Sequence, residues 1–127
     1  MVIDTDVLIR FFTNDDPVKA EKFQKALELK QKFILTDVTF AEVYWTLKSF
    51  YGFDKAKILN AMETLINTPC IKSNRILMQK TIEILQNKNI SFIDAYTASF
   101  ALKHEQGKIA SFDRGFDKID GIKRVEI

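Results

Sequence analysis

The chain is poor in the residues that would point to several functional classes. Cysteine occurs once (Cys70) and histidine once (His104), and there are two prolines and four glycines. A lone cysteine excludes an internal disulfide and makes the cytoplasm the expected compartment. One histidine and one cysteine also leave no ligand set suited to zinc. So few glycines and prolines exclude a collagenous or low-complexity chain, and no linker or internal repeat divides it. No apolar run approaches the length of a membrane span, and no charged-then-apolar leader opens the chain, so no membrane association is expected. Charge of one sign is scarce too. Nineteen Lys and Arg face seventeen Asp and Glu, a net of +2 with a pI near 8.6, which permits a nucleic-acid partner without demanding one.

What is present is an ordered chain of 127 residues, 46% hydrophobic, long enough for one core and read as a single domain over residues 1–127. A short apolar run, Val2-Ile3, stops at Asp4, and Val7, Leu8, Phe11 and Phe12 follow at helical spacing. A strand that ends in a carboxylate before a helix is where open α/β sheets place their chemistry. Asn14-Asp15-Asp16-Pro17 reads as a turn and cap into a helix over 17–30, with a solvated Lys/Glu face. Residues 33–36 read as a buried parallel strand. The helix expected over 37–50 is apolar nearly all round, which predicts burial, and Gly52 ends it. Amphipathic helices follow over 54–67 and 74–87, with a brief strand at 70–71 between them. A helix from Ser91 built on Ala95, Ala98, Ala101 and Leu102 closes at Gly107. Strands are expected at 108–112 and 125–127. This order predicts an α/β three-layer sandwich, with a mostly parallel four- to five-stranded sheet flanked by helices.

Four carboxylates occupy telling positions. Asp4 and Asp113 terminate expected strands, Glu42 sits within the apolar helix, and Asp94 opens a small-residue helix that can approach its neighbours closely. An unpaired charge among apolar residues is costly, and gathered acids repel one another. A divalent cation relieves both penalties. Oxygen ligands without histidine or cysteine point to Mg²⁺ or Mn²⁺, and so to hydrolysis of a phosphate ester. Each acid also has a plain structural reading. Ser91-x-x-Asp94 and Thr39-x-x-Glu42 fit capping boxes, Asp113 before Arg114-Gly115 suits a turn, and Asp4 suits a helix N-terminus. Around them, Asp6, Asp37 and Asp117 read as caps or supporting acids. The hydroxyls of Thr5 and Ser111 are placed to steady the carboxylates or a metal-bound water. His104 reads as an exposed residue near a helix C-terminus.

The segments Val2-Ile3-Asp4-Thr5-Asp6-Val7-Leu8-Ile9-Arg10, Thr39-Phe40-Ala41-Glu42-Val43, Phe92-Ile93-Asp94-Ala95 and Ser111-Phe112-Asp113-Arg114-Gly115-Phe116-Asp117 together resemble the PIN-domain ribonucleases, and the VapC-type toxins in particular. The resemblance spans the whole chain. It implies a parallel sheet between helices, a homodimer, and an acidic quartet of Asp4, Glu42, Asp94 and Asp113 around one or two Mg²⁺ or Mn²⁺ ions. Asp117 would be an accessory acid, and Thr5 and Ser111 the hydroxyls of the same motifs. It further implies RNA as substrate and a neighbouring antitoxin as partner. The chain departs from the pattern at Asp6, where the family more often carries Asn or Ser.

Two other enzyme readings compete. Asp4-Thr5-Asp6 resembles the Asp-x-Asp motif of haloacid-dehalogenase-type phosphatases, although Leu8 stands where that motif expects Thr or Val. A receiver domain suits the length but lacks a convincing central strand ending in a phosphorylatable Asp. A non-catalytic PIN-like module that only binds RNA or a partner is the reading outside enzymology, and an intact quartet argues against it.

Overall fold

The computed structural model describes all residues, Met1–Ile127, and its contacts divide into two compact units, Met1–Arg75 and Ile76–Ile127. The first holds α1 (Thr5–Thr13), α2 (Pro17–Glu28), β1 (Phe33–Ile34), α3 (Asp37–Ser49), α4 (Lys55–Asn67) and β2 (Ile71–Lys72). Three of its helices, α2, α3 and α4, begin where short polar side chains satisfy free amides. Asp16 Oδ1 accepts from the Lys19 N–H at 3.2 Å, with Pro17 in the first turn. Thr36 Oγ1 accepts from Thr39 N–H at 3.2 Å, and Asp54 Oδ1 from Lys57 N–H at 2.8 Å. Leu8, Phe40, Val43, Leu47, Ile58 and Met62 form the core beneath them. Phe11, Phe23 and Phe33 meet edge to face at 5.2 and 5.4 Å and join α1, α2 and β1.

β1 and β2 are parallel, with Phe33 opposite Ile71 and Ile34 opposite Lys72. Val2 joins the far side of β1 through one parallel bridge to Ile34, supported by Ile3 N–H to Ile34 O at 3.0 Å. The carboxyl ends of all three segments therefore lie at one edge, and Asp4 follows the first of them.

The second unit takes up α5 (Arg75–Asn87, opening on the last residue of the first unit), α6 (Phe92–His104), β3 (Lys108–Ala110), a 3₁₀ helix (Arg114–Lys118) and β4 (Lys123–Val125). Ser91 Oγ caps α6 by accepting from the Asp94 N–H at 3.1 Å. Leu77, Met78, Ile82 and Leu85 of α5 and Ala95, Ala98 and Ala101 of α6 are buried. The buried hydroxyls of Thr81 and Ser99 lie 3.1 Å apart. Gly107 ends α6 at φ +83°, its N–H donating to Ala101 O and its carbonyl accepting from Lys123 N–H, both at 2.8 Å. β3 and β4 are parallel, with Ile109 opposite Arg124.

Two expectations are corrected. The chain is α/β with short parallel strands, but they pair two by two, and the expected four- to five-stranded sheet is not formed. Capping side chains cut the strands short. Thr36 turns the apolar run at 33–36 into α3, and Ser111 Oγ accepts from the Asp113 N–H at 2.9 Å and bends the chain just after β3. The second correction concerns α3. Phe40, Val43, Tyr44 and Leu47 are buried, yet Val38, Trp45 and Phe50 are 79%, 64% and 77% exposed. The helix is apolar all round because it carries a core face and a bare apolar face, so Trp45 and Phe50 do not belong to the core.

Candidate active site

Asp4 stands immediately after the Val2-Ile3 segment and occupies the N-cap position of α1, in extended conformation, yet its side chain makes no cap hydrogen bond. Its carboxylate is thus not spent on the helix. Glu42 projects from the exposed side of α3, where Val38 and Trp45 lie about one turn away on either side. The two acids line one open cavity of about 350 Å³ with Thr5, Asp6, Arg10 and Tyr51. The burial argument for Glu42 therefore fails: the carboxylate is solvent-exposed and pays no interior penalty.

Arg10 gives the cavity its electrostatic character. One turn beyond Asp6 on α1, it pairs with Asp6 Oδ1 at 3.1 Å and with Asp15 Oδ2 at 2.6 Å. The Tyr51 hydroxyl donates to the same Asp15 oxygen at 2.8 Å and fastens the turn before α2 to the turn after α3. This Tyr51 hydrogen bond, helped by Arg10, holds the Asp15 carboxyl below its usual range, and the tyrosine's own pKa rises in return. The extra acid of the N-terminal motif, Asp6, thus shares the single charge of Arg10 with Asp15. No ion pair involves Asp4 or Glu42. Sequence reading gave Arg10 no role of its own. The Asp6–Arg10 spacing of four on a helix is the signal that could have placed it.

In the second unit Asp94 lies half-buried in the first turn of α6, and Ser91, not Asp94, provides the cap hydrogen bond. Asp113 caps the 3₁₀ helix, with Oδ1 accepting from Gly115 N–H at 2.8 Å, so its turn-capping reading holds for one of its two oxygens. Asp117 is clamped by Arg124 through Nε–Oδ1 at 3.0 Å and a second nitrogen at 3.2 Å. That pairing lowers the Asp117 pKa. Arg124 also reaches Glu126 at 2.6 Å and the Ser111 carbonyl at 3.2 Å, which ties the 3₁₀ helix to both strands. Thr5 is buried at the start of α1, and the Ser111 hydroxyl serves the Asp113 backbone. His104 ends α6 and is exposed.

No three His, Cys, Asp or Glu side chains are gathered closely enough to hold a metal ion by themselves. Mg²⁺ does not require such a cage, since it keeps several waters and takes only one or two protein carboxylates beside substrate phosphates. Asp4 and Glu42 are hard oxygen donors with no cation on either, so the donor set fits that ion.

The model of the PIN domain matches residues 1–122. The chain belongs to the PIN-domain family. PIN domains are generally metal-dependent nucleases, and the match runs through all four segments that carry the resemblance. No curated protein and no solved structure matches the chain. No helix of this PIN domain is long and apolar enough to cross a membrane.

Proposed function

We propose that this PIN domain is a Mg²⁺- or Mn²⁺-dependent endoribonuclease and the toxin of a VapBC-type toxin–antitoxin pair. One observation carries the reading: two carboxylates from different elements, Asp4 and Glu42, share an open cavity and neither has a cationic partner. They would hold the ion, with Asp94 and Asp113 completing the acidic set in the working enzyme. When bound, the divalent ion supplies an activated water and neutralises charge developing on the phosphate. The hydroxyls of Thr5 and Ser111 would steady those carboxylates or a metal-bound water. Arg10 withdraws Asp6 from the acidic set and leaves the cavity less negative. Asp117 is taken up by Arg124 and supports the second unit.

The exposed Val38, Trp45 and Phe50 around Glu42, with the half-buried Phe11 and Phe12 on α1, make an apolar surface of the kind a binding partner covers. We assign it to the antitoxin, which would offer an Arg or Lys to the acids. A cytoplasmic homodimer is part of the same proposal.

The test incubates the purified chain with a pool of structured and single-stranded RNAs and Mg²⁺, with and without EDTA, alongside Asp4→Asn. Cleavage that needs the metal and is lost in D4N, while the circular dichroism melt stays unchanged, is the expected result. Metal-independent cleavage, or full activity in D4N, would refute the mechanism. Growth arrest on expression, relieved by the adjacent reading frame, tests the toxin role.

A further inference from the structure

A second cavity in the first unit, about 330 Å³, opens where α4 ends and β2 begins and ends. Its polar lining is Asn67, Thr68, Lys72, Ser73 and Arg75, over an apolar floor that includes Ile66 and Ile71. No carboxylate lines it, and neither Lys72 nor Arg75 takes part in any ion pair. Most other arginines behave differently: Arg10 and Arg124 each hold two acids. Arg75 instead gives one nitrogen to Asn67 Oδ1 at 2.7 Å, which fixes the guanidinium and leaves its remaining donors free. The Ser73 hydroxyl is buried and has no hydrogen-bond partner. A buried polar atom without a partner is expensive unless a ligand satisfies it. Two uncompensated cations and an idle hydroxyl in one recess suit an anion with several acceptor oxygens.

The recess has a defined position relative to Asp4. Lys72 is paired with Ile34 in the register of β1 and β2, and Ile34 bridges to Val2. Lys72, Ser73 and Arg75 therefore leave the same edge of the parallel strands as Asp4, two strands away. Strand spacing makes that separation about 10 Å, within the span of two nucleotides of one RNA strand.

We propose that Lys72, Ser73 and Arg75 form a phosphate-binding subsite that holds an internal phosphate of single-stranded RNA beside the acidic cavity. It rests on the nuclease reading for its substrate but not for its measurement, because binding is followed in EDTA, where no cleavage occurs. The probe is a fluorescein-labelled single-stranded RNA, read by anisotropy across a salt series. Lys72→Gln/Arg75→Gln should weaken binding about tenfold and flatten the log–log salt slope by about 0.7, the value for one neutralised phosphate on a single strand. Ser73→Ala should weaken it by a smaller factor. Lys30→Gln/Lys32→Gln removes the same charge just before β1, at the opposite ends of these strands, and should leave affinity and slope nearly unchanged. Millimolar inorganic phosphate should compete in the wild type and not in K72Q/R75Q. RNA with a 5′-hydroxyl or a 5′-phosphate should bind equally. Equal losses in the two double variants, no RNA binding, or dependence on the 5′-phosphate would each overturn the subsite. If RNA binds through these residues but no metal supports cleavage, the nuclease reading fails and the subsite stands.

Discussion

The two faces of α3 make opposite predictions for substitutions that lie only five residues apart. Leu47 is fully buried, so Leu47→Ala removes core contacts and leaves a cavity, at a cost of about 2.7–5 kcal/mol. For 127 residues the unfolding entropy is roughly 0.27 kcal/mol/K, so Tm should fall by roughly 10–19 °C. Glu42 projects from the exposed face and takes no part in an ion pair or cap. Glu42→Gln should therefore change stability by less than about 0.5 kcal/mol, a shift of about 2 °C or less. If Glu42 holds the proposed ion, its loss should instead slow cleavage, by on the order of 10²–10³ as for other charge-stabilising groups at a reacting centre. The assay pairs circular dichroism melts with single-turnover cleavage of a labelled RNA in Mg²⁺. Comparable Tm losses in E42Q and L47A would make Glu42 structural. Cleavage by E42Q at the wild-type rate would remove it from the site.

Stability at acid pH should depend on Asp15 and Asp117. Both carboxyls are held below their ordinary values, so their contribution is full above about pH 4, the unfolded carboxylate value, and is lost as pH falls through the lower folded values. A Tm-versus-pH series should show Asp117→Asn and Asp15→Asn falling less steeply below pH 4 than the wild type, and parallel curves would count against these pairings. Gly107 allows a backbone test: at φ +83° an added Cβ would run into the Gly121 carbonyl, so Gly107→Ala should lower Tm by well over 10 °C or prevent soluble expression. A G107A protein that melts like the wild type would contradict the β3–β4 geometry.

The helices were legible because local chemistry decides them. Asp16 with Pro17, Thr36, Asp54 and Ser91 cap where short polar residues precede apolar periodicity, and the boundaries follow within a residue or two. Strands were less legible, because pairing depends on partners distant in sequence and on where a cap interrupts the run, as Thr36 does after Ile34. The burial of α3 was misread for a different reason. An all-round apolar helix can be a core element or the carrier of an uncovered face, and composition does not separate the two. The place of Asp4 in its cavity agrees with the rule that parallel strands aim their chemistry past their carboxyl ends, whereas Glu42 was singled out by a burial that the structure does not show. The orphaned Ser73 hydroxyl and the unpaired Lys72 and Arg75 left no sequence signature, since pairing is a property of neighbours in space.

The row of Val38, Glu42 and Trp45 along α3 has an electrostatic consequence. In the open protein, water surrounds the Glu42 carboxylate, and a unit charge about 4 Å away is worth only about 1 kcal/mol. A molecule that lays itself over Val38 and Trp45 expels that water, and the same charge is then worth about 4 kcal/mol at an effective dielectric near 20. Whatever dries this strip of helix therefore also tightens the grip of Glu42 on any cation beneath it, and greasy contact and ionic attraction strengthen each other at one spot.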